Sequence, residues 1–173
     1  MFGLFSSSKS TVVIKDQVWM SRTAKLNACR LMARANPSCL FIAWFAETRD
    51  AFVRAIEDPS SCMLAENVTT SSIEGKIVIF AEHHPLIPEE TALFTRLVLR
   101  EVPVLSSLDE PFFEKFGGVG TIDVMKKLGM KEDEVIGHSM ITKAIKNAQE
   151  KIGKKAKSNL PSSSQKEWMD KNL

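Results

Sequence analysis

No charge of one sign dominates this sequence: 23 Lys+Arg against 21 Asp+Glu leave a net +2. That excess is too small to draw the whole chain onto nucleic acid, so any basic patch must be local. Cysteine is scarce as well. Cys29, Cys39 and Cys62 are odd in number and show no CxxC spacing, which excludes a disulfide framework and a zinc ribbon and predicts buried, reduced thiols. No apolar stretch reaches the ~20 residues of a membrane-spanning helix. The start, MFGLFSSSKS, has no basic residue ahead of its short apolar run, so the sequence predicts a cytoplasmic protein with neither leader nor integral span. A phosphate-binding loop is missing too. Gly117, Gly118 and Gly120 imitate one only in glycine count, and Gly75-Lys76 leads into Ile77 and a strand without the closing Ser/Thr. No repeat of fixed period is present.

What is there fits one compact domain. The 173 residues are 44% hydrophobic and 25% charged, near globular averages. A β-branched run from 11 to 14, continued towards Trp19, reads as a first strand. Ala24, Ala28, Leu31, Met32 and Ala35 recur at helical spacing between Ser21 as N-cap and Asn36-Pro37 as stop. The unbroken apolar run 39–45, CLFIAWF, predicts a strand covered on both faces of a parallel sheet, and 76–81, KIVIFA, a second one. Between them Thr48 offers a cap for a helix with Phe52, Ala55 and Ile56 on one face, and 62–64 a short strand. A helix over 89–99 and a last strand over 102–105 follow, with Pro103 placing that strand at an edge or in its own first turn. This alternation predicts a three-layer α/β domain with a mostly parallel sheet over 11–116. Short helices fit 111–116 and 121–128 and a longer one 139–155, giving a helical extension over 117–157. Residues 1–10 and 158–173 are expected to be a flexible start and a disordered tail.

Within 125–152, Met125, Lys127, Leu128, Gly129, Met130, Lys131, Glu134, Ile136, His138, Ile141, Thr142, Lys143, Ala144, Ile145, Ala148 and Gln149 follow one long pattern. It resembles M-x-K-L-G-M-K-x-x-E-x-I-x-H-x-x-(V/I)-T-K-A-I-x-x-A-Q of the SecA preprotein translocase family, where the second motor domain passes into the helical scaffold. Upstream, 105–116 is similar to that family's L-S-x-E-D-x-L-M-R-I-F turn. Residues 79–84 resemble I-I-G-T-E-R-H, with Glu82 and His84 matching and His83 in place of the arginine. The resemblance covers most of 11–157 and implies a stand-alone RecA-like second motor domain, of the fold found in phosphate-loop NTPases, with the start of the scaffold. The family's nucleotide-contacting loop T-N-M-A-G-R-G-T-D is replaced by NVTTSSIEG at 67–75, and its arginine helix Q-x-R-G-R-x-G-R-Q-G-D by LFTRLVLRE at 93–101. The first motor domain is absent from the sequence.

The chemistry-bearing candidates follow. His83 and His84 beside Glu82 end a strand, where α/β sites gather, but adjacent rings seldom converge on one ion, and a structural role is expected. Arg96 and Arg100, four apart, would share a helix face and could reach a phosphoryl group across a cleft, or form a solvated face. Asp109 and Glu110 precede Pro111 and suit helix capping. Residues 143–157 hold six lysines and one acid, Glu150, a face for water, RNA, anionic lipid or an acidic protein. The expectation is therefore a SecA-related, non-catalytic interaction module with no cofactor, no metal and an unidentified protein partner. A half-ATPase acting in trans through Arg96 or Arg100, and a nucleic-acid binder acting through the basic helix, are the alternatives.

Overall fold

The computed structural model describes residues 12–115 and 118–173. Five strands form one sheet: β1 Val13–Trp19, β2 Cys39–Ala43, β3 Cys62–Leu64, β4 Ile77–Phe80 and β5 Glu101–Ser107, in the order β1-β5-β4-β2-β3 and parallel throughout. All five residues of β2 are buried, and β2 lies between β3 and β4, as an unbroken apolar run demands. Parallel neighbours need crossovers, and helices provide most of them: α1 Arg22–Ala35, α2 Ala46–Ile56 and α3 Ile87–Arg96. Residues of α1 and α2 join one core with Phe41, Ile79 and Leu105, while Leu93 and Phe94 of α3 pack with Leu40, Ile42 and Val104 on the other face. The result is the three-layer α/β architecture of a RecA-like domain, followed by helices α4 Pro111–Glu114, α5 Gly118–Lys127, α6 Ser139–Lys155 and α7 Gln165–Asn172.

Several expectations need correction. The strand carrying Pro103 is internal: β5 pairs with β1 along its whole length and with β4 at Phe80↔Val104. Pro103 is tolerated because the ladder on the β4 side is so short there. Ser21 caps α1 as expected, its hydroxyl accepting from the N–H of Ala24 at 3.1 Å, but the buried face of α1 is rotated. Lys25 and Cys29 are buried, whereas Leu31 is 61% exposed and Ala35 exposed. Thr48 does not cap α2; Phe45 is its N-cap residue and Thr48 bonds elsewhere. Helix α3 stops at Arg96, and Val98 at φ 57° breaks it, so Arg96 and Arg100 do not share a helix.

The segment 158–173, expected as a loose tail, is instead the docked helix α7 and the turn leading to it. Ser164 caps α7 by accepting from Glu167 N–H at 3.1 Å, while Glu167 accepts from Ser163 N–H at 2.6 Å. The first bond satisfies a donor that the helix start otherwise leaves open, and the second ties the residue before the cap to the first turn. Trp168 and Met169 enter a third core with Phe45, Phe112, Ile145 and Ile152. Composition alone misjudged the tail because few of its residues are apolar, while the polar Gln165 and Asn172 are buried with Trp168 and Met169. The expectation for residues 1–10 falls outside the described residues.

Candidate functional site

Strands β2 and β4 are neighbours whose following helices go to opposite faces of the sheet. Beyond their carboxyl ends lies the crevice where open α/β sheets place ligands. Glu82, just past β4, is buried in it. Its Oε1 accepts from the N–H groups of Trp44 and Phe45, both at 3.1 Å, and its Oε2 accepts from the Thr48 hydroxyl at 2.7 Å. Glu82 thus caps α2 from another strand. Burial pushes its carboxyl up to about 7, against the opposing pull of Thr48 and Lys25.

His83 turns the other way. Its Nε2 meets Asp16 Oδ1 at 2.7 Å and its Nδ1 meets Glu90 Oε1 at 2.8 Å, all three buried. Burial by itself lowers the imidazole, but the charge and hydrogen bonds of Glu90 and Asp16 outweigh it and raise it to about 10. An imidazolium between two carboxylates is the consequence. Burial likewise raises Asp16, and the contacts with His83 overcome that and hold it below its ordinary value. Gln149 of α6 completes the knot, its Nε2 donating to Glu90 Oε2 at 3.0 Å and to the His84 carbonyl at 2.8 Å.

His84, the next residue, is pushed by burial down to about 4 and stays neutral. Its Nδ1 accepts from Leu86 N–H at 3.0 Å, and its ring contacts Trp44 and Trp168 edge-on at 5.1 and 5.6 Å. Asp109 and Glu110 do not cap α4 with their side chains. Asp109 accepts from Arg22 N–H at 3.0 Å, so it serves α1, and Glu110 pairs with the buried Lys25, whose Nζ also donates to the Ala81 carbonyl at 2.9 Å.

The remaining sequence candidates divide clearly. Gly129 ends α5 at φ 82°, with Met130 N–H reaching the Met125 carbonyl at 3.2 Å, and Met130 packs against the third core. His138 caps α6 through Nδ1 to Met140 N–H at 3.1 Å, and Ala148 is buried beside Gln149. Thr142 also helps to lower Asp16. Leu128 is 76% exposed, and Lys143 and the other lysines of α6 face solvent. Arg96 is exposed and donates to the Val68 carbonyl at 3.4 Å; Arg100 is exposed ahead of β5. In the loop 67–75, Thr69 and Ser72 satisfy each other's backbone, Thr69 N–H to Ser72 Oγ at 2.9 Å and Ser72 Oγ to the Thr69 carbonyl at 2.8 Å. The Thr69, Ser71 and Ser72 hydroxyls bond within the turn.

A cleft of about 500 Å³ opens at this crevice between α3, the turn at Ala65 and Glu66, and the turn before α7, with Trp44 and His84 among its lining residues. Among the described residues no group of three His, Cys, Asp or Glu side chains could hold a metal ion, and no helix is long and apolar enough to cross a membrane. Sequence reasoning missed Asp16, Lys25, Glu90, Gln165 and Trp168. Lys25 carried a signal, since it lies four residues before Cys29 on the face that is buried.

No protein-family profile matches the chain. Part of it is similar to curated proteins named protein translocase subunit SecA. The identity is 50% over 46 residues to that of Acidithiobacillus ferrooxidans, covering 27% of this chain and 5% of that protein. It is 50% over 46 residues to that of Chlorobium phaeobacteroides, covering 27% and 4%. It is 31% over 91 residues to that of Acinetobacter baylyi, covering 50% and 10%. The chain therefore carries a SecA-related region and spans a tenth or less of the length of these relatives.

Proposed function

We propose that this chain is a non-catalytic interaction module derived from the second motor domain of a SecA-like protein, acting in the bacterial cytoplasm on a protein partner and linked to protein translocation. The observation that carries the reading is the tail lying across the carboxyl edge of the sheet. Gln165 Oε1 accepts from Phe112 N–H at 2.8 Å and its Nε2 donates to the His83 carbonyl at 3.3 Å, while Glu47 N–H donates to the Ser163 carbonyl at 2.9 Å. These are strand ends and helix starts, the groups an α/β enzyme turns toward its ligand. The polar side chains nearest them, Glu82, His83 and Glu110, all bond inside the protein.

Of the two segments that replace the nucleotide-contacting parts of the SecA pattern, 93–101 borders the same cleft through Leu93 and Arg96, while 67–75 follows directly on Ala65 and Glu66, which line the cleft; the turn before α7 completes the lining. Phosphoryl transfer rests on a backbone cradle, a lysine, a metal ion and an arginine, and this surface offers the last alone. Calorimetric titration of the full chain with ATP and magnesium, followed by a phosphate-release assay, should give neither binding nor turnover; micromolar binding defeats the proposal. One observation favours a second reading: Arg96 is exposed in the cleft. If the protein instead accelerates hydrolysis by a phosphate-loop partner, and Arg96→Ala abolishes that effect, it is a half-ATPase acting in trans.

A further inference from the structure

The cleft has a chemistry of its own that the non-catalytic reading does not use. Its lining is aromatic: the half-buried Trp44 packs on His84, and His84 on Trp168, the last two buried, while Leu93 and Leu160 add apolar walls. Its charges are two carboxylates, Glu66 and Glu89, against one guanidinium, Arg96. Arg96 forms no ion pair with either carboxylate among the described residues and instead donates to the Val68 carbonyl. His84 adds no positive charge, because burial keeps it neutral. Glu89 is set in place by a relay from the floor: Trp168 Nε1 donates to Asn159 Oδ1 at 2.8 Å, and Asn159 Nδ2 donates to Glu89 Oε1 at 2.9 Å. The carboxylate and the indole are thus fixed relative to each other by one side chain of the tail.

We propose that this cleft binds an organic ammonium group, supplied either by a free amine or by a lysine side chain of a partner. Aromatic rings attract cations through their negative faces, a carboxylate beside them adds net charge, and an apolar floor accepts the methyl or methylene groups next to the nitrogen. A carboxylate or phosphate ligand would instead meet two like charges. A neutral apolar ligand of the same shape would gain the floor and lose the charge term. Asn159, Leu160 and Trp168 all lie in the docked tail, so the site exists only while the tail is packed.

The test is a titration of the full chain with choline at constant ionic strength, read by tryptophan fluorescence. Two of the three tryptophans, Trp44 and Trp168, line the cleft. Choline should saturate the signal in the millimolar range, while its neutral isostere, with carbon in place of the ammonium nitrogen, should bind far more weakly. Parallel titration with an N-acetylated lysine amide separates the two sources: tighter binding than choline assigns the site to a partner's lysine, weaker binding to a free amine. Glu66 and Arg96 are exposed, so their substitution leaves the core intact. Glu66→Gln should weaken choline roughly two- to five-fold and Arg96→Gln should tighten it by a similar factor, the range for a partly screened charge pair. Equal binding of the neutral isostere, no saturable binding of either ammonium probe, or indifference to both substitutions overturns the proposal. Because none of these readouts involves ATP, failure here leaves the non-catalytic reading standing, and the converse holds.

Discussion

His83 and His84 are neighbours in sequence and opposites in the fold. His83 lies in a sealed knot between Asp16 and Glu90, where two carboxylates raise it to about 10. His84 borders an open cleft among aromatic rings, where burial lowers it to about 4. Residue type is the same and both are buried, so the difference comes from the ligands each ring meets: charge-bearing acceptors in one case, apolar faces in the other. The knot joins β1, α3 and α6 into one body, whereas the cleft is a surface left accessible.

The largest test of that contrast is His83→Ala. It leaves Asp16 and Glu90 buried without their cation, and breaking a buried pair from one side costs about 3–5 kcal/mol. The urea midpoint should fall accordingly; a loss no greater than that of an exposed substitution would mean that the knot holds nothing together. Trp168→Ala comes next on the cleft side. Truncating a buried tryptophan costs about 3 kcal/mol and should free the tail for limited proteolysis between 157 and 164 while the sheet stays folded. If the tail stays resistant, Gln165 and Asn172 hold it without the indole.

The pH dependence separates the two histidines by sign. His83 has a folded pKa above its unfolded value of 6.5, so its contribution is complete below pH 6.5 and is lost as pH rises towards about 10. His84 has a folded pKa below the same reference, so the unfolded state takes up the proton first and stability falls as pH drops from 6.5 towards about 4, by on the order of 3 kcal/mol. Glu82 opposes that acidic fall: its carboxyl is raised to about 7, so its share of stability decreases as pH rises from 4.5 to 7. The acidic limb should therefore be read as the difference between wild type and His84→Asn, which keeps an acceptor for Leu86 N–H. Unfolding followed from pH 4 to 10 should show that difference close below pH 7 and remain constant above it. A difference that instead holds constant below pH 7 and closes on the alkaline side would reverse the two assignments.

Much of the scaffold was legible because its signals are local. Ser21 and the spacing after it predict α1 to the residue, and the apolar runs at 39–45 and 76–81 are the strands β2 and β4. The knot was not legible. Asp16, Glu90 and Gln149 lie 67, 7 and up to 65 residues from their histidine partners, and no periodicity reports a contact between separate elements. The Arg96 and Arg100 pairing failed for a different reason: a helix pattern that continues through Leu97 and Leu99 carries no sign that Val98 adopts a left-handed conformation. The tail was hidden by its composition, since Ser and Lys surround the single tryptophan that docks it.

That left-handed valine gives the smallest prediction and sharpens the contrast, because α3 carries Glu90 of the knot and Arg96 of the cleft. At its end Leu99 N–H reaches the Phe94 carbonyl at 3.0 Å and Val98 N–H the Thr95 carbonyl at 3.1 Å, the paired bonds of a Schellman ending. Helix α5 closes with the same bonds around Gly129 at φ 82°, where no side chain resists. Val98 at φ 57° is β-branched and 76% exposed, so it bears the strain of that conformation with little packing in return. Val98→Gly should raise stability by about 1 kcal/mol, and Gly129→Ala should lower it by a similar amount. Arg96 lies two residues before Val98 and its position is set by the same helix end. If Val98→Gly stabilises the fold and leaves choline binding unchanged, the strain belongs to the scaffold; if it stabilises the fold and weakens binding, the strained turn holds Arg96 and the cleft in their working arrangement.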